Sequence, residues 1–177
     1  ELMDLSYKKN DNANLFSTLV KKDLLNVSNP QNYIPLYSKF FTLNDKNFNN
    51  INLNNPLSLV SVEERESENK YSGVVANEAG ETKRRQVFFK LSPLLDPTKY
   101  MIGKYDLSNT NLLKLPSLND DSSHPKVRDP NNSAYIDSFF TYLTSQLLHK
   151  HAFIHGVDFF GSFLATKNDY AVDISDD

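Results

Sequence analysis

Two kinds of hydrophobic spacing follow one another along the chain, and their order limits the folds that it can adopt. Between residues 57 and 91, apolar and β-branched residues form short alternating runs, which are typical of strands. Across 133–150, apolar residues recur every three or four positions, which predicts an amphipathic helix. Two further strand-like runs follow, 157–166 and 170–174, and we expect a hairpin that turns at 167–169. This order predicts an α+β domain with an antiparallel sheet of about five strands and one main helix.

The first three predicted strands are joined by polar turns and should therefore form a meander. They cover residues 57–62, 71–76 and 86–91. The polar run 63–70 separates the first two strands and would give their hairpin an acidic tip. A turn at 77–80 leads to the third strand, which we interpret as the clearest of the chain because it is rich in valine and phenylalanine.

Proline and asparagine mark the irregular parts of the chain. We expect residues 1–56 to form an irregular N-terminal extension, with a weak helical pattern at 2–25 and an aromatic segment at 33–41 that packs as an extended arm on a partner protein. Seven of the residues from 44 to 55 are asparagine, which predicts a turn-rich loop. Residues 92–132 contain five prolines and are interpreted as a mostly irregular insertion.

Composition excludes several classes of protein. The 177 residues suffice for one domain, and a net charge of −3 gives no field that would attract nucleic acid or an anionic membrane. The chain has no cysteine, which excludes disulfides, thiolate metal sites and cysteine nucleophiles. No apolar run approaches the roughly 18 residues of a membrane span. We therefore expect a protein without a membrane span that works in a reducing compartment and does not bind nucleic acid.

The histidines near the end of the predicted helix do not form a metal site. His149 and His151 are two positions apart and so do not share a helix face, and no carboxylate cluster completes a shell with His155. We interpret them as solvated side chains at a helix end, where the helix dipole favours positive charge. No metal ligand is predicted.

Three stretches carry a family resemblance: VFFKLSPLLDP at 87–97, DPNNSAY at 129–135 and HGVDFFGSFL at 155–164. They resemble a family of kinase-like proteins from nucleocytoplasmic large DNA viruses, the giant viruses. In that family a large lobe follows and carries a histidine-asparagine-aspartate catalytic-loop motif, which these residues do not include. The resemblance spans 57–177 and implies a protein-kinase-like small lobe, preceded by the extension 1–56. We therefore expect this chain to be the N-terminal part of a longer protein, not catalytic without its C-terminal lobe.

The resemblance also implies a site. Alternation places Gln86, Phe88 and Lys90 on one face of the third strand. A kinase-like small lobe binds ATP with Mg²⁺, and Lys90 would contact the phosphates of the nucleotide. An acid from the main helix would hold Lys90, and Asp137 is the only acid of that helix. The other interpretation of Lys90 is a solvated lysine at a strand end. With its missing lobe, the protein would be a serine/threonine protein kinase-like phosphotransferase.

Two departures from the kinase pattern keep a second hypothesis open. The hairpin 63–70 has no glycine, although a glycine-rich loop lets backbone amides approach phosphates, and the predicted helix has no glutamate. These features favour a pseudokinase-like structural component that acts by binding other proteins in a virion or during its assembly. Under either hypothesis the expected location is the host cytoplasm, at the viral factory, or the virion.

Overall fold

The computed structural model describes residues 5–21, 24–151 and 158–169, and within these ranges the chain forms seven strands, four α-helices and one 3-10 helix. The strands are Tyr7–Lys9 (β1), Val27–Gln31 (β2), Ile51–Leu53 (β3), Ser58–Arg65 (β4), Lys70–Ala76 (β5), Thr82–Phe88 (β6) and Leu164–Lys167 (β7). The α-helices are Ala13–Leu19 (α1), Pro97–Met101 (α2), Pro125–Arg128 (α3) and Ser133–His151 (α4), and the 3-10 helix is Pro35–Lys39. The mixed α+β class is confirmed.

The predicted meander is present as the antiparallel sheet β4-β5-β6. The first hairpin closes where the backbone N–H groups of Glu66 and Ser67 donate to the carbonyl of Lys70, at 2.8 and 3.1 Å. The third strand begins earlier than predicted and ends at Phe88, so Lys90 lies two residues beyond the strand. The pairing of β6 with β5 across its full length explains this difference, because ladder hydrogen bonds hold polar residues 82–86 in the strand as well.

Strict alternation does not hold along β4. Its register against β5 shifts between Leu59 and Ser61 and again between Val62 and Glu64. As a result Leu59 and Val62, three positions apart, are both buried. A bulge adds a residue to one strand only and thereby changes the face on which the following side chains lie.

The predicted main helix is confirmed as α4. Asn132 caps it, because its side-chain oxygen accepts from the backbone N–H of Ala134 at 3.0 Å. The buried face carries Tyr135, Phe139 and Tyr142. Phe140, which belongs to the same sequence pattern, is exposed, so the stripe that enters the core is narrower than the hydrophobic pattern.

The predicted five-stranded sheet is wrong for the residues that are described. β7 pairs antiparallel with β2, and β1 pairs with β3, so the sheets have three, two and two strands. The predicted hairpin at 157–174 is therefore corrected at its first strand, which begins at Leu164 and has a distant partner. Its second strand, 170–174, lies outside the described residues. Hydrogen bonding to β2 supplies a partner that the local sequence does not reveal.

The aromatic segment 33–41 is not an arm. Its residues Tyr33, Ile34, Leu36 and Tyr37 are at most 7% exposed and belong to the protein's own core. Phe40 stacks on Phe139 of α4, with ring centroids 4.6 Å apart. The expectation that this segment docks on a partner is therefore corrected: burying these side chains within the chain removes them from water at no cost of association.

Two hydrophobic clusters form the core. The first joins the 3-10 helix, β3 and α4. The second joins α1, β2 and the inner face of the meander. The segment 158–163 passes between them, since the carbonyl of Phe160 accepts from the backbone N–H of Leu59 at 3.0 Å and Phe163 contacts Phe89. The candidate site lies where the two clusters meet.

Residues 92–132 contain two short helices, α2 and α3, and are otherwise irregular. Both helices begin with proline, whose fixed φ suits the first helical position. Across the described ranges, no helix combines the length and the apolar character that crossing a membrane requires.

Candidate functional site

Lys90 and Asp137, the two residues predicted to form a phosphate site, are in direct contact. The Nζ atom of Lys90 lies 2.5 Å from Oδ2 of Asp137. Lys90 follows the last strand of the meander, and Asp137 lies on α4 close to its beginning. The ion pair therefore joins the sheet to the main helix across 47 positions of sequence.

Both side chains of this pair face solvent. The side chain of Lys90 is 71% exposed and that of Asp137 is 47% exposed. An ion pair of this exposure contributes about 0–1 kcal/mol to folding, because water screens it and both side chains lose conformational freedom. The fold does not depend on this pair, so another anion can replace the carboxylate of Asp137 at small cost.

Lys90 and Asp137 also line a cavity of about 720 Å³ between the two hydrophobic clusters. This volume lies within the range of about 300–1,000 Å³ that is usual for small-molecule sites. The deep walls are apolar and come from both clusters: Leu15, Val27, Leu59, Val87, Ile34, Leu53, Phe159 and Leu164. Such a cavity provides an apolar space beside a charged pair.

The hairpin between β4 and β5 does not supply a phosphate-binding loop. Its residues 66–69 are Glu, Ser, Glu and Asn, so it lacks glycine and is acidic. Gly73, in β5, has a packing role instead: a Cβ atom there would lie 2.9 Å from Leu59 Cδ1 and 3.0 Å from the carbonyl oxygen of Ser61. Any phosphate contact in this region must come from side chains such as Lys90.

A second charged cluster was not predicted. Asp158 accepts from Arg85 of β6 at 3.0 Å, and its other oxygen lies 2.5 Å from Nε2 of His149 near the end of α4. The Arg85 guanidinium also lies over the ring of Phe160, at 5.3 Å from its centroid. His149 is exposed, as expected, but its contact with Asp158 was not predicted. Asp158 therefore connects the sheet to the end of α4, whereas Lys90 contacts α4 near its beginning.

Asparagine side chains line another part of the cavity. The Asn12 amide donates to the side-chain oxygens of Asn32 at 2.6 Å and Asn52 at 2.7 Å, and Asn12 and Asn52 both line the cavity. Asn12 has a left-handed backbone, with φ of 56°, a conformation that asparagine tolerates better than most residues. Asn32 is 1% exposed. Asparagines of the region expected to be irregular thus form a part-buried hydrogen-bonded network.

Burial also changes the chemistry of two tyrosines. Burial, followed by the charge of Tyr142, raises the pKa of Tyr37, and burial likewise raises the pKa of Tyr135. The Tyr135 hydroxyl donates to the carbonyl of Val127 at 2.7 Å, which ties α3 to α4. Both phenols therefore stay neutral in the folded protein at pH values where a solvated tyrosine ionises.

Metal binding has no support in the part of the chain that is described. No group of three or more His, Asp or Glu side chains there is arranged to hold an ion. The side chain of His151 and residue His155 lie outside the described residues. Asp120 is held by Lys114 instead: hydrogen bonds from Lys114 and then Ser122 keep the pKa of Asp120 well below its ordinary value.

Two of the site features were accessible to sequence reasoning and two were not. The resemblance to kinase-like proteins implied Lys90 and, as the only acid of the helix, Asp137. Nothing local signalled the contact of Asp158 with Arg85 or the asparagine network, because each joins residues far apart in sequence. No family model, curated protein or solved structure matches this chain.

Proposed function

We propose that residues 57–177 act as the nucleotide-binding small lobe of a giant-virus serine/threonine protein kinase-like protein, with Lys90 as its phosphate ligand. In this proposal ATP binds with Mg²⁺, and a C-terminal lobe beyond this chain supplies the catalytic residues. The observation that carries the proposal is the 2.5 Å ion pair between Lys90 and Asp137.

The pair supports the proposal through its position. Phosphoryl transfer depends mainly on positioning and charge stabilisation, so a lysine beside the nucleotide phosphates must be held in place by a fixed acid. Lys90 follows a three-stranded meander and Asp137 lies on the helix that comes next after the irregular insertion. An exposed ammonium held by one carboxylate still has N–H groups that can donate to a phosphate oxygen.

The cavity supports the proposal through its chemistry. A nucleotide base is flat and largely apolar on its faces, and the walls beside Lys90 are apolar, including Val87 and Leu59. The base would enter between the two clusters while the phosphates remain at Lys90. Asp137 would help to hold Mg²⁺ only if it left Lys90, so its main role in this proposal is to position the lysine.

The test is Mg-ATP binding to the intact gene product, measured by calorimetry, with Lys90→Met as the variant and Lys104→Met as the matched control. Lys104 is exposed and follows α2, and it does not line the cavity. We expect Lys90→Met to weaken ATP binding about tenfold or more, equivalent to about 1.4 kcal/mol. Equal ATP affinity in the two variants would reject the role of Lys90.

A second candidate function is supported by the acidic, glycine-free hairpin and by exposed apolar side chains. In this alternative the domain is pseudokinase-like and acts by protein–protein binding in the virion or at the viral factory. Exposed apolar residues line the cavity at Phe88, Leu91, Met101 and Leu113, and two others, Ile136 and Phe140, lie on α4. Exposed apolar side chains that lie together are typical of a binding surface.

This alternative predicts that Mg-ATP produces no thermal shift and that Phe140→Glu removes the protein from purified virions while the fold is retained. The control is Ile102→Glu, which places the same charge on another exposed apolar residue, after α2. If neither substitution changes incorporation into virions, binding through the outer face of α4 is rejected.

A further inference from the structure

We propose that Ser92 is a phosphorylation site for a proline-directed protein kinase, and that the phosphate takes Lys90 away from Asp137. Ser92 lies two residues after Lys90, and both residues line the cavity. The modification and the change of ion-pair partner rest on the exposure of Ser92, the proline that follows it and the position of both residues at the cavity. The consequence for nucleotide binding, given below, rests on the proposed function.

The first argument is access. Ser92 is exposed, as are its neighbours Leu91 and Pro93, and it lies in the irregular segment between the end of β6 and the start of α2. Its hydroxyl has no hydrogen-bond partner among the residues described. A modifying enzyme can therefore bind this segment as an extended peptide without breaking a strand or helix.

The second argument is the residue that follows. Ser92 is the only serine or threonine of the 177-residue chain that precedes a proline. Proline lacks an N–H group and favours an extended conformation in the residue before it. An enzyme that selects proline after its target hydroxyl would therefore select Ser92 over every other hydroxyl of this chain.

The third argument is charge. Phosphoserine carries about −1.5 to −2 charges at pH 7 and three strong acceptor oxygens, whereas Asp137 offers one negative charge. Lys90 is largely exposed, so its ammonium can turn from the carboxylate to a phosphate two residues away. The other cations that line the cavity already have partners: Lys114 bonds Asp120, and Lys167 bonds the carbonyl of Leu25.

The chemical step is an ordinary phosphoryl transfer. The terminal phosphoryl group of ATP moves to the hydroxyl oxygen of Ser92, the bond to ADP breaks, and the hydroxyl proton is released to the base of the modifying kinase. The product places a phosphate at the lysine that we propose as the nucleotide-phosphate ligand. Phosphorylation would therefore block nucleotide binding by occupying Lys90 from within the chain.

The experiment incubates the full chain with ATP and a proline-directed serine/threonine kinase and counts phosphates by intact mass spectrometry. We expect one phosphate, mapped to Ser92, that is lost in Ser92→Ala and in Pro93→Ala. The control Ser108→Ala removes another exposed serine, which is followed by asparagine, and should keep the phosphate. A chain that gains no phosphate at Ser92, or gains it equally in Pro93→Ala, overturns the proposal.

The change of partner is measured by the rate at which acetic anhydride acetylates Lys90. Without phosphate, Asp137→Asn should raise this rate, because the ammonium loses the carboxylate that stabilises it. With Ser92 phosphorylated, the rate should be low and the same in Asp137→Asn. A rate that still depends on Asp137 after phosphorylation overturns the exchange. If neither form binds Mg-ATP, the proposed function fails, while these two results still support the site at Ser92.

Discussion

The N-terminal region 5–56 and the meander 58–88 both bury apolar side chains, but different groups bond their backbones. The meander buries one apolar face and pairs its backbone with neighbouring strands. In the N-terminal region, asparagine side chains such as Asn32 and Asn49 also bond backbone groups that no strand pairs. Hydrophobic spacing predicts the strands of the meander. Hydrogen bonds from asparagine side chains follow no sequence period, so a segment that depends on them is predicted as a loop.

The strongest test of this comparison is a core truncation in each region. Ile51 of β3 is 1% exposed and Leu59 of β4 is 8% exposed. We expect Ile51→Ala and Leu59→Ala to lower the free energy of unfolding by similar amounts, each about 2–5 kcal/mol. Urea denaturation checks this. An Ile51→Ala protein as stable as the wild type would restore the interpretation of 1–56 as a separate extension.

The next test removes a buried carboxamide. The Asn32 side chain accepts from Asn12 and donates to the carbonyl of Asn49, so Asn32→Ala removes two part-buried hydrogen bonds. We expect a loss of about 1–3 kcal/mol in the free energy of unfolding. The control is Asn131→Ala at an exposed position, where a change within about 0.5 kcal/mol is expected. Equal effects at the two positions would show that the network does not stabilise the N-terminal region.

A third test uses alkaline pH. Burial raises the pKa of Tyr37 in the folded state, so this group stabilises the fold below the ordinary tyrosine pKa near 10 and its contribution falls as pH rises above that value. Tyr37→Phe removes the ionisable group. We therefore expect a smaller loss of thermal stability between neutral and alkaline pH than in the wild type. The control is Tyr100→Phe, which removes an exposed phenol and not a buried one.

The smallest change in the free energy of unfolding is expected at the candidate site. Asp137→Asn breaks the ion pair with Lys90, but both side chains are exposed. The expected change in the free energy of unfolding is therefore at most about 1 kcal/mol. A loss of several kcal/mol in urea denaturation would mean that the pair has a structural role and that Lys90 is not available to another anion.

Local sequence patterns predicted the elements that depend on local residues. The meander, helix α4 and the capping residues before it follow from alternation, from three- and four-residue spacing and from capping chemistry. The closeness of Lys90 and Asp137 was implied by the resemblance to kinase-like proteins and not by a local pattern. The resemblance to kinase-like proteins supplied the reason to compare those two residues.

Contacts between distant segments were not predictable in this way. The burial of Tyr37 depends on packing against α4, and the place of β7 depends on an open edge at β2. The end of β6 before Lys90 depends on where its pairing with β5 stops. In each case the stabilising contact is made with a segment more than a few residues away in sequence. The hydrophobic period of one segment gives no information about the segment that it will contact.

The pairing of β2 with β7 also has a consequence for how the chain folds. The Nζ atom of Lys167 donates to the carbonyl of Leu25, 142 positions earlier, so the edge of β2 has no partner until almost all of these residues have left the ribosome. Contacts of such long separation slow folding, because a large loop must close before they form. The meander, whose contacts are local, can form during synthesis. An unpaired β2 edge is then open to pairing with other nascent chains until β7 arrives, and chaperone binding during synthesis should concentrate on this region.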